Sequence, residues 1–205
     1  MVEKLPLPKD NWALNWELTV KDTTFSWLIL YRWIHEYLKE KGWKDIQTGD
    51  DNYEIFYSDL ENADGSKNQT IWFRASKDPL GGGNGYLRLF FKLDMVTLLV
   101  KTKEVMHKGQ KVKLNDGEFK FKCSLWFAEE QDAGKGSESE WNKNSILRFF
   151  KFKFWNRIHP TKIAACKGEL MKYSNELYNY IQMYAGAMPP SGPKEYYSSI
   201  KGTEN

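Results

Sequence analysis

Apolar and polar positions alternate with a period of two over much of the first 130 residues, the pattern of strands that bury one face. The first such run covers 12–20, and others cover 52–59, 70–76 and 118–128. The clearest alternation lies at 86–95, where one side carries Leu87, Leu89, Phe91, Leu93 and Met95. These runs predict a sheet with one buried and one polar face.

Turn residues separate the strands at short intervals. Asp64-Gly65 marks the tip of one loop, and 107–110 turns the chain after an extended segment at 96–105. Asn115-Asp116-Gly117 is a strong hairpin signal between 111–114 and the last strand. Consecutive strands joined by tight turns predict an antiparallel meander.

A helical pattern follows the first strand. Asp22 or Thr23 can cap it, and Gly42 can end it after Lys41. One face carries Trp27, Leu30, Tyr31, Ile34 and Leu38. Because the first half, 27–34, is apolar nearly all round, we expect this to be the central packed helix.

A longer helix is predicted at 161–184, with Pro160 in its first turn. Apolar residues recur along it at spacings of three and four. This stripe either packs on the sheet of its own chain or forms a seam between subunits. In the second case the residues of self-association are Ile163, Leu170, Tyr173, Leu177, Tyr180 and Tyr184.

The fold predicted from these patterns is α+β. About six antiparallel strands form a sheet, and an N-terminal helix and two C-terminal helices, at 146–158 and 161–184, pack on one of its faces. Residues 1–185 form a single domain of ordinary size. The polar stretch at 129–145 is a loop, and 186–205, with its prolines and glycines, is a flexible tail.

Composition adds one unusual feature, the aromatic share. Phe, Trp and Tyr make up 16% of the 205 residues, more than a core of this size needs. Some rings are therefore expected at the surface, where aromatic residues commonly anchor partners. The net charge of +3, from 30 basic and 27 acidic residues, is too small to indicate nucleic-acid binding by itself.

The most distinctive segment is 146–158, which interleaves basic and aromatic side chains. Its candidate binding residues are Arg148, Phe150, Lys151, Phe152, Lys153, Phe154, Trp155 and Arg157. Such a segment suits an anionic membrane surface, a single-stranded nucleic acid or an acidic partner protein. Alternatively, it is a core helix whose lysine and arginine stems reach out to water.

The polar side of the predicted strands carries charges and rings together. In the predicted register these are Arg74, Arg88, Lys92, Asp94, Lys120 and Lys122, with Trp72, Phe90 and Trp126 among them. Such a face is either solvated, with cross-strand ion pairs, or a platform on which bases stack.

No catalytic motif is visible. The three histidines, His35, His107 and His159, lie in no local signature, and the separate Cys123 and Cys166 are typical of buried, reduced thiols. The glycine-rich run at 81–85 precedes a strand, whereas a phosphate-binding loop opens a helix. We therefore expect no enzyme, no metal and no cofactor.

The sequence favours a non-catalytic interaction or structural protein that binds itself or another macromolecule. The second hypothesis is a carrier of an apolar small molecule or lipid between sheet and helices. The third is a peripheral membrane or nucleic-acid binder. Because 1–11 lacks the apolar run of a signal peptide and no stretch approaches about 20 apolar residues, we expect a soluble, cytoplasmic protein with no transmembrane segment.

Overall fold

The computed structural model describes residues 12–21, 23–46, 48–80, 87–107, 110–129 and 160–186. In chain order its elements are β1 (Ala13–Val20), β2 (Thr24–Phe25), α1 (Trp27–Glu40), β3 (Lys44–Asp45), β4 (Glu54–Glu61), β5 (Lys67–Lys77), β6 (Leu87–His107), β7 (Gln110–Glu129) and α2 (Pro160–Tyr184). The helix predicted at 146–158 lies outside the described residues, as do nearly all of the predicted loop at 129–145 and tail at 186–205.

The α+β prediction is confirmed. The seven described strands form one sheet in the order β1-β7-β6-β5-β3, and every pair is antiparallel. The short β2 lies beside β7, and β4 lies beside β5. As a result β1 and β2 follow one another along one edge of the sheet, and β3 and β4 along the opposite edge.

The predicted hairpin at Asn115-Asp116-Gly117 is wrong. β6 and β7 pair continuously from Leu87↔Glu129 to His107↔Gln110, apart from a bulge between Leu98 and Lys101. Gly117 faces that bulge, where a Cβ would come within 2.9 Å of Val100 Cα. The glycine therefore permits a close approach of two strands and does not form a turn.

The buried face of the sheet is the one that the alternation predicts. Phe73, Phe91 and Phe121 lie on it with at most 1% of their surface exposed. Both helices cover this face, and ring contacts join the layers: Trp27 lies 6.0 Å from Phe121, Tyr31 lies 5.9 Å from Phe73, and Trp43 lies 5.7 Å from Tyr173. Aromatic rings thus form a large part of the interior, beside aliphatic side chains.

α1 starts later and is less enclosed than predicted. Its N-cap is Ser26. The Trp27 N–H donates a hydrogen bond to Asn115 Oδ1, outside the helix, at 3.1 Å. Trp27, Leu30, Ile34 and Leu38 are buried as expected, but Leu28 and Ile29 are each 53% exposed. Only one side of α1 packs on the sheet. Because residues 27–34 are apolar nearly all round, some of their apolar surface faces outward.

Candidate interaction surfaces

The predicted self-association stripe lies inside the chain. Ile163, Leu170, Tyr173 and Leu177 are buried and belong to the main core. Tyr180 and Tyr184 are partly buried and pack against that core. The stripe therefore faces the sheet of its own chain, which is the first of the two arrangements the sequence allowed.

The candidate binding segment at 146–158 lies outside the described residues, with all eight of its candidate residues. Its role stays a prediction.

A ladder of aromatic rings joins the two helices along their outer seam. Trp33 stacks on Tyr180 with ring centres 3.3 Å apart, and it also stacks on Tyr37 at 5.1 Å. Tyr180 continues the ladder to Tyr184 at 5.9 Å. Because Tyr184 bonds to Ser26 O while Tyr37 bonds to Glu176, α1 and α2 run antiparallel.

Exposed apolar side chains flank this ladder. Ile29 lies one turn before Trp33 on α1, and Met183 lies beside Tyr184 on α2, at the same end of the antiparallel pair. Met183 is 77% exposed, and Ile29 is more than half exposed. We call Ile29, Trp33, Tyr180, Met183 and Tyr184 the helix-pair patch.

Sequence reasoning missed a buried ionic cluster at the end of β5. Lys77 Nζ lies 3.0 Å from Glu169 Oε1, and the two side chains are only 6% and 8% exposed. Lys77 also donates to the Tyr173 hydroxyl at 2.7 Å and to Lys41 O at 3.0 Å. Tyr173 in turn donates to Glu169 Oε1 at 2.9 Å.

The ammonium group of Lys77 has no N–H left over to bind a ligand. An ammonium group has three N–H donors, and all three of those on Lys77 have an acceptor. Burial, together with the adjacent Glu169 carboxylate, raises the pKa of the Tyr173 hydroxyl. The second oxygen of Glu169 accepts the Leu80 N–H at 2.8 Å. The arrangement thus anchors α2 to β5, and no local motif signals it, because Lys77 and Tyr173 are 96 positions apart.

The two cysteines are buried and free, as predicted. Burial raises the pKa of Cys166 to about 11 and that of Cys123 well above its usual value. Burial thus disfavours the thiolate, which is the nucleophilic form, at both positions. Of the histidines, His35 packs its ring 5.1 Å from that of Tyr53.

The polar face of the sheet carries the predicted charges in the predicted register. Asp94 pairs with Arg74 at 2.6 Å and with Lys92 at 3.3 Å, while Lys122 pairs with Glu17 at 2.6 Å. Phe90 and Trp126 stack there with centres 5.7 Å apart, and both are buried. The pairs Arg74–Asp94 and Lys122–Glu17 thus join neighbouring strands, whereas Lys92 and Asp94 pair within β6. Because Phe90 and Trp126 are buried, these two rings have no open face for a nucleobase.

A shallow pocket of about 460 Å³ lies at the β6 bulge. Leu99 has a φ of 54° there, and its N–H donates to Asn68 Oδ1 at 2.7 Å. The charged residues that line the pocket are paired, Glu118 with Lys21 at 3.2 Å and Asp116 with Lys103. The bulge bends the strand, and the pocket presents no unpaired charge.

β4 is the least covered strand described. Phe56, Tyr57 and Leu60 are 41%, 53% and 63% exposed, although Phe56 and Tyr57 point to opposite faces of the sheet. α1 reaches the strand at its start, where the Tyr31 hydroxyl donates to Glu54 Oε1. Beyond Glu54, the described part of the chain leaves both faces of the strand partly accessible.

Within the described part of the chain, no group of three or more His, Cys, Asp or Glu side chains is arranged to hold a metal ion. No described helix is long and apolar enough to cross a membrane. Comparison with known protein families, with curated proteins and with solved structures gives no match. The surfaces of this chain are therefore the only guide to its function.

Proposed function

We propose that this chain is a non-catalytic interaction protein whose helix-pair patch joins two copies or binds another macromolecule, with self-association the leading case. The observation that carries the proposal is the exposure of Ile29 and Met183 beside the stacked rings of Trp33 and Tyr180. Apolar side chains grouped around aromatic rings are the usual centre of a protein interface.

The geometry of the rings favours tight binding. Trp33 and Tyr180 are already fixed against each other, and Tyr184 is held by its hydrogen bond to Ser26 O. A partner that packs on them would immobilise few additional side chains, so less conformational entropy is lost on association. We place the protein in the cytoplasm as part of this proposal, since the free thiols of Cys123 and Cys166 suit a reducing compartment.

The carrier hypothesis has less support. A carrier needs an internal space, but the interface between sheet and helices is filled by large, fully buried side chains such as Trp43, Phe73 and Phe91. The pocket at the β6 bulge is open and lies away from that interface. Membrane or nucleic-acid binding through 146–158 remains the third hypothesis.

The test is native mass spectrometry over a range of micromolar concentrations, on the wild type and on a double variant, Ile29→Lys with Met183→Lys. We expect a dimer in the wild type and a monomer in the double variant, because two lysines in the patch would have to be desolvated on association. Met171→Lys is the matched control, since Met171 is also an exposed methionine of α2 and lies on its other flank.

The control variant should stay dimeric, and all variants should keep the wild-type circular dichroism spectrum. A wild type that is monomeric at every concentration would contradict self-association. A dimer that persists in the double variant would contradict the role of the patch.

A further inference from the structure

β4 presents backbone hydrogen-bonding groups outward in a known order. Just beyond its end the Asn62 N–H donates to Ser66 O at 2.8 Å, and hydrogen-bonded pairs alternate along an antiparallel ladder. Phe56, Ser58 and Leu60 therefore bond to β5, whereas Tyr57, Asp59 and Glu61 direct their N–H and C=O groups away from it. The Gln69 N–H, opposite Asp59, accordingly bonds to Thr97 Oγ1 on the β6 side at 3.0 Å.

Two of the usual protections of an edge strand, lysine and proline, are missing from this segment. Natural edges carry lysine, proline or a bulge that prevents pairing with another chain. β4 has one bulge, at its start between Glu54 and Phe56, and the following run Phe56-Tyr57-Ser58-Asp59-Leu60 contains neither lysine nor proline. Among the described strands, only β5 pairs with it.

The two faces of β4 differ in chemistry. Asp59 and Glu61 lie on one face, where Lys67 is their shared cation at 3.7 and 3.9 Å. Phe56 and Leu60 lie on the other face, and Phe56 packs on Trp72 at 4.6 Å. A strand added beside β4 would place its alternate side chains on these same two faces.

We propose that β4 binds an extended peptide by strand addition, and that the peptide alternates basic with apolar residues. Its basic side chains lie beside Asp59 and Glu61, and its apolar ones lie beside Phe56 and Leu60. Its backbone pairs with the outward groups of Tyr57 and Asp59, as in other complexes formed at sheet edges. This inference concerns a second surface and does not depend on the helix-pair patch.

Charge argues against a second copy of β4 as the occupant. Two β4 strands that pair antiparallel must oppose their outward residues, so Asp59 and Glu61 of both copies would lie on the same face of the joined sheet. Four carboxylates would then share only the two Lys67 side chains, and like charges on neighbouring strands are destabilising. A basic peptide instead neutralises the surplus of carboxylates over the single cation, Lys67.

The test measures fluorescence anisotropy of a short labelled peptide that alternates lysine with valine. Asp59→Pro removes an outward N–H and leaves the ladder to β5 intact, since proline is tolerated where an edge N–H faces solvent. We expect it to weaken binding about tenfold or more. Asp59→Asn keeps the N–H and removes only the charge, so we expect a loss of about threefold and a weaker salt dependence.

Two further measurements keep the result interpretable. The same peptide methylated on every backbone nitrogen has no N–H groups for the ladder and should not bind. This result does not depend on whether the Asp59→Pro variant folds. The Ile29→Lys and Met183→Lys variant should bind the peptide like the wild type. Strand addition would be overturned if the methylated peptide bound as well as the unmethylated one, or if the Asp59→Pro variant bound the peptide as well as the wild type. A wild-type dimer that Asp59→Pro dissociates would also overturn the proposal, because the occupant would then be a second copy.

Discussion

β1 and β4 are both eight residues long and lie at opposite edges of the same sheet, yet the described helices cover only β1 along its length. On β1, Leu14, Trp16 and Val20 are buried, and α2 lies over them. Trp16 Nε1 donates to Ser174 Oγ at 3.1 Å, and its ring meets that of Tyr178 edge-on at 5.2 Å. Within the described residues, the one hydrogen bond between a helix and β4 is that of Tyr31 to Glu54, at the start of the strand.

The difference follows from where the apolar residues fall. On β1 they occupy alternate positions from Leu14 to Val20, so a single helix can cover all of them. On β4, Ile55 and Tyr57 point to one face while Phe56 and Leu60 point to the other. No single layer can cover both sets, and this arrangement of apolar residues is the basis of the proposed peptide binding at this edge.

The largest expected contrast comes from truncating one ring on each strand. Trp16→Ala removes a buried ring and leaves the Ser174 hydroxyl without its donor, so we expect the free energy of unfolding to fall by about 3 to 5 kcal/mol. Phe56→Ala removes a ring that is 41% exposed and packs on the ring of Trp72, so it should cost less, about 1 kcal/mol. Urea unfolding followed by circular dichroism measures both.

If the two substitutions lower the free energy of unfolding by the same amount, the contrast between β1 and β4 is wrong. Equal losses would mean that β4 is packed against something in solution.

The next effect concerns the anchor that holds α2 in place. Glu169→Gln leaves the Lys77 ammonium buried without its anion, and breaking one side of a buried ion pair typically costs about 3 kcal/mol or more. Glu176→Gln is the matched control, because Glu176 pairs with Lys41 at 3.0 Å but is a third exposed. It should cost about 1 kcal/mol or less.

Urea unfolding again gives both values. Similar small losses in the two variants would show that Lys77 reaches water and that the cluster does not anchor α2.

The sequence predicts the elements that local periodicity controls. The alternation in β6 identifies the buried face correctly, because side chains on a strand must point in alternate directions. The prediction of α2 at 161–184 differs by one residue from Pro160–Tyr184, since its stripe repeats at helical spacing. The polar face of the sheet follows from the same alternation.

Features that depend on contacts between distant residues could not be predicted. Gly117 forms part of a turn signal in the sequence, but it faces the bulge near Val100 across the β6–β7 pair. The outward exposure of Ile29 depends on which side of α1 meets the sheet. The pairing of Lys77 with Glu169 has no local signal, and the position of β4 at an edge follows only from the strand order.

The most direct measurement of the central claim, that β4 has an open edge, is residue-resolved amide hydrogen exchange. We predict an alternation along the strand: Tyr57 and Asp59 exchange rapidly, while Phe56, Ser58 and Leu60 are protected by β5. Adding the basic peptide should slow the first two and leave the other three unchanged. Uniform protection of all five amides in the free protein would contradict the account, because the edge would then already be paired.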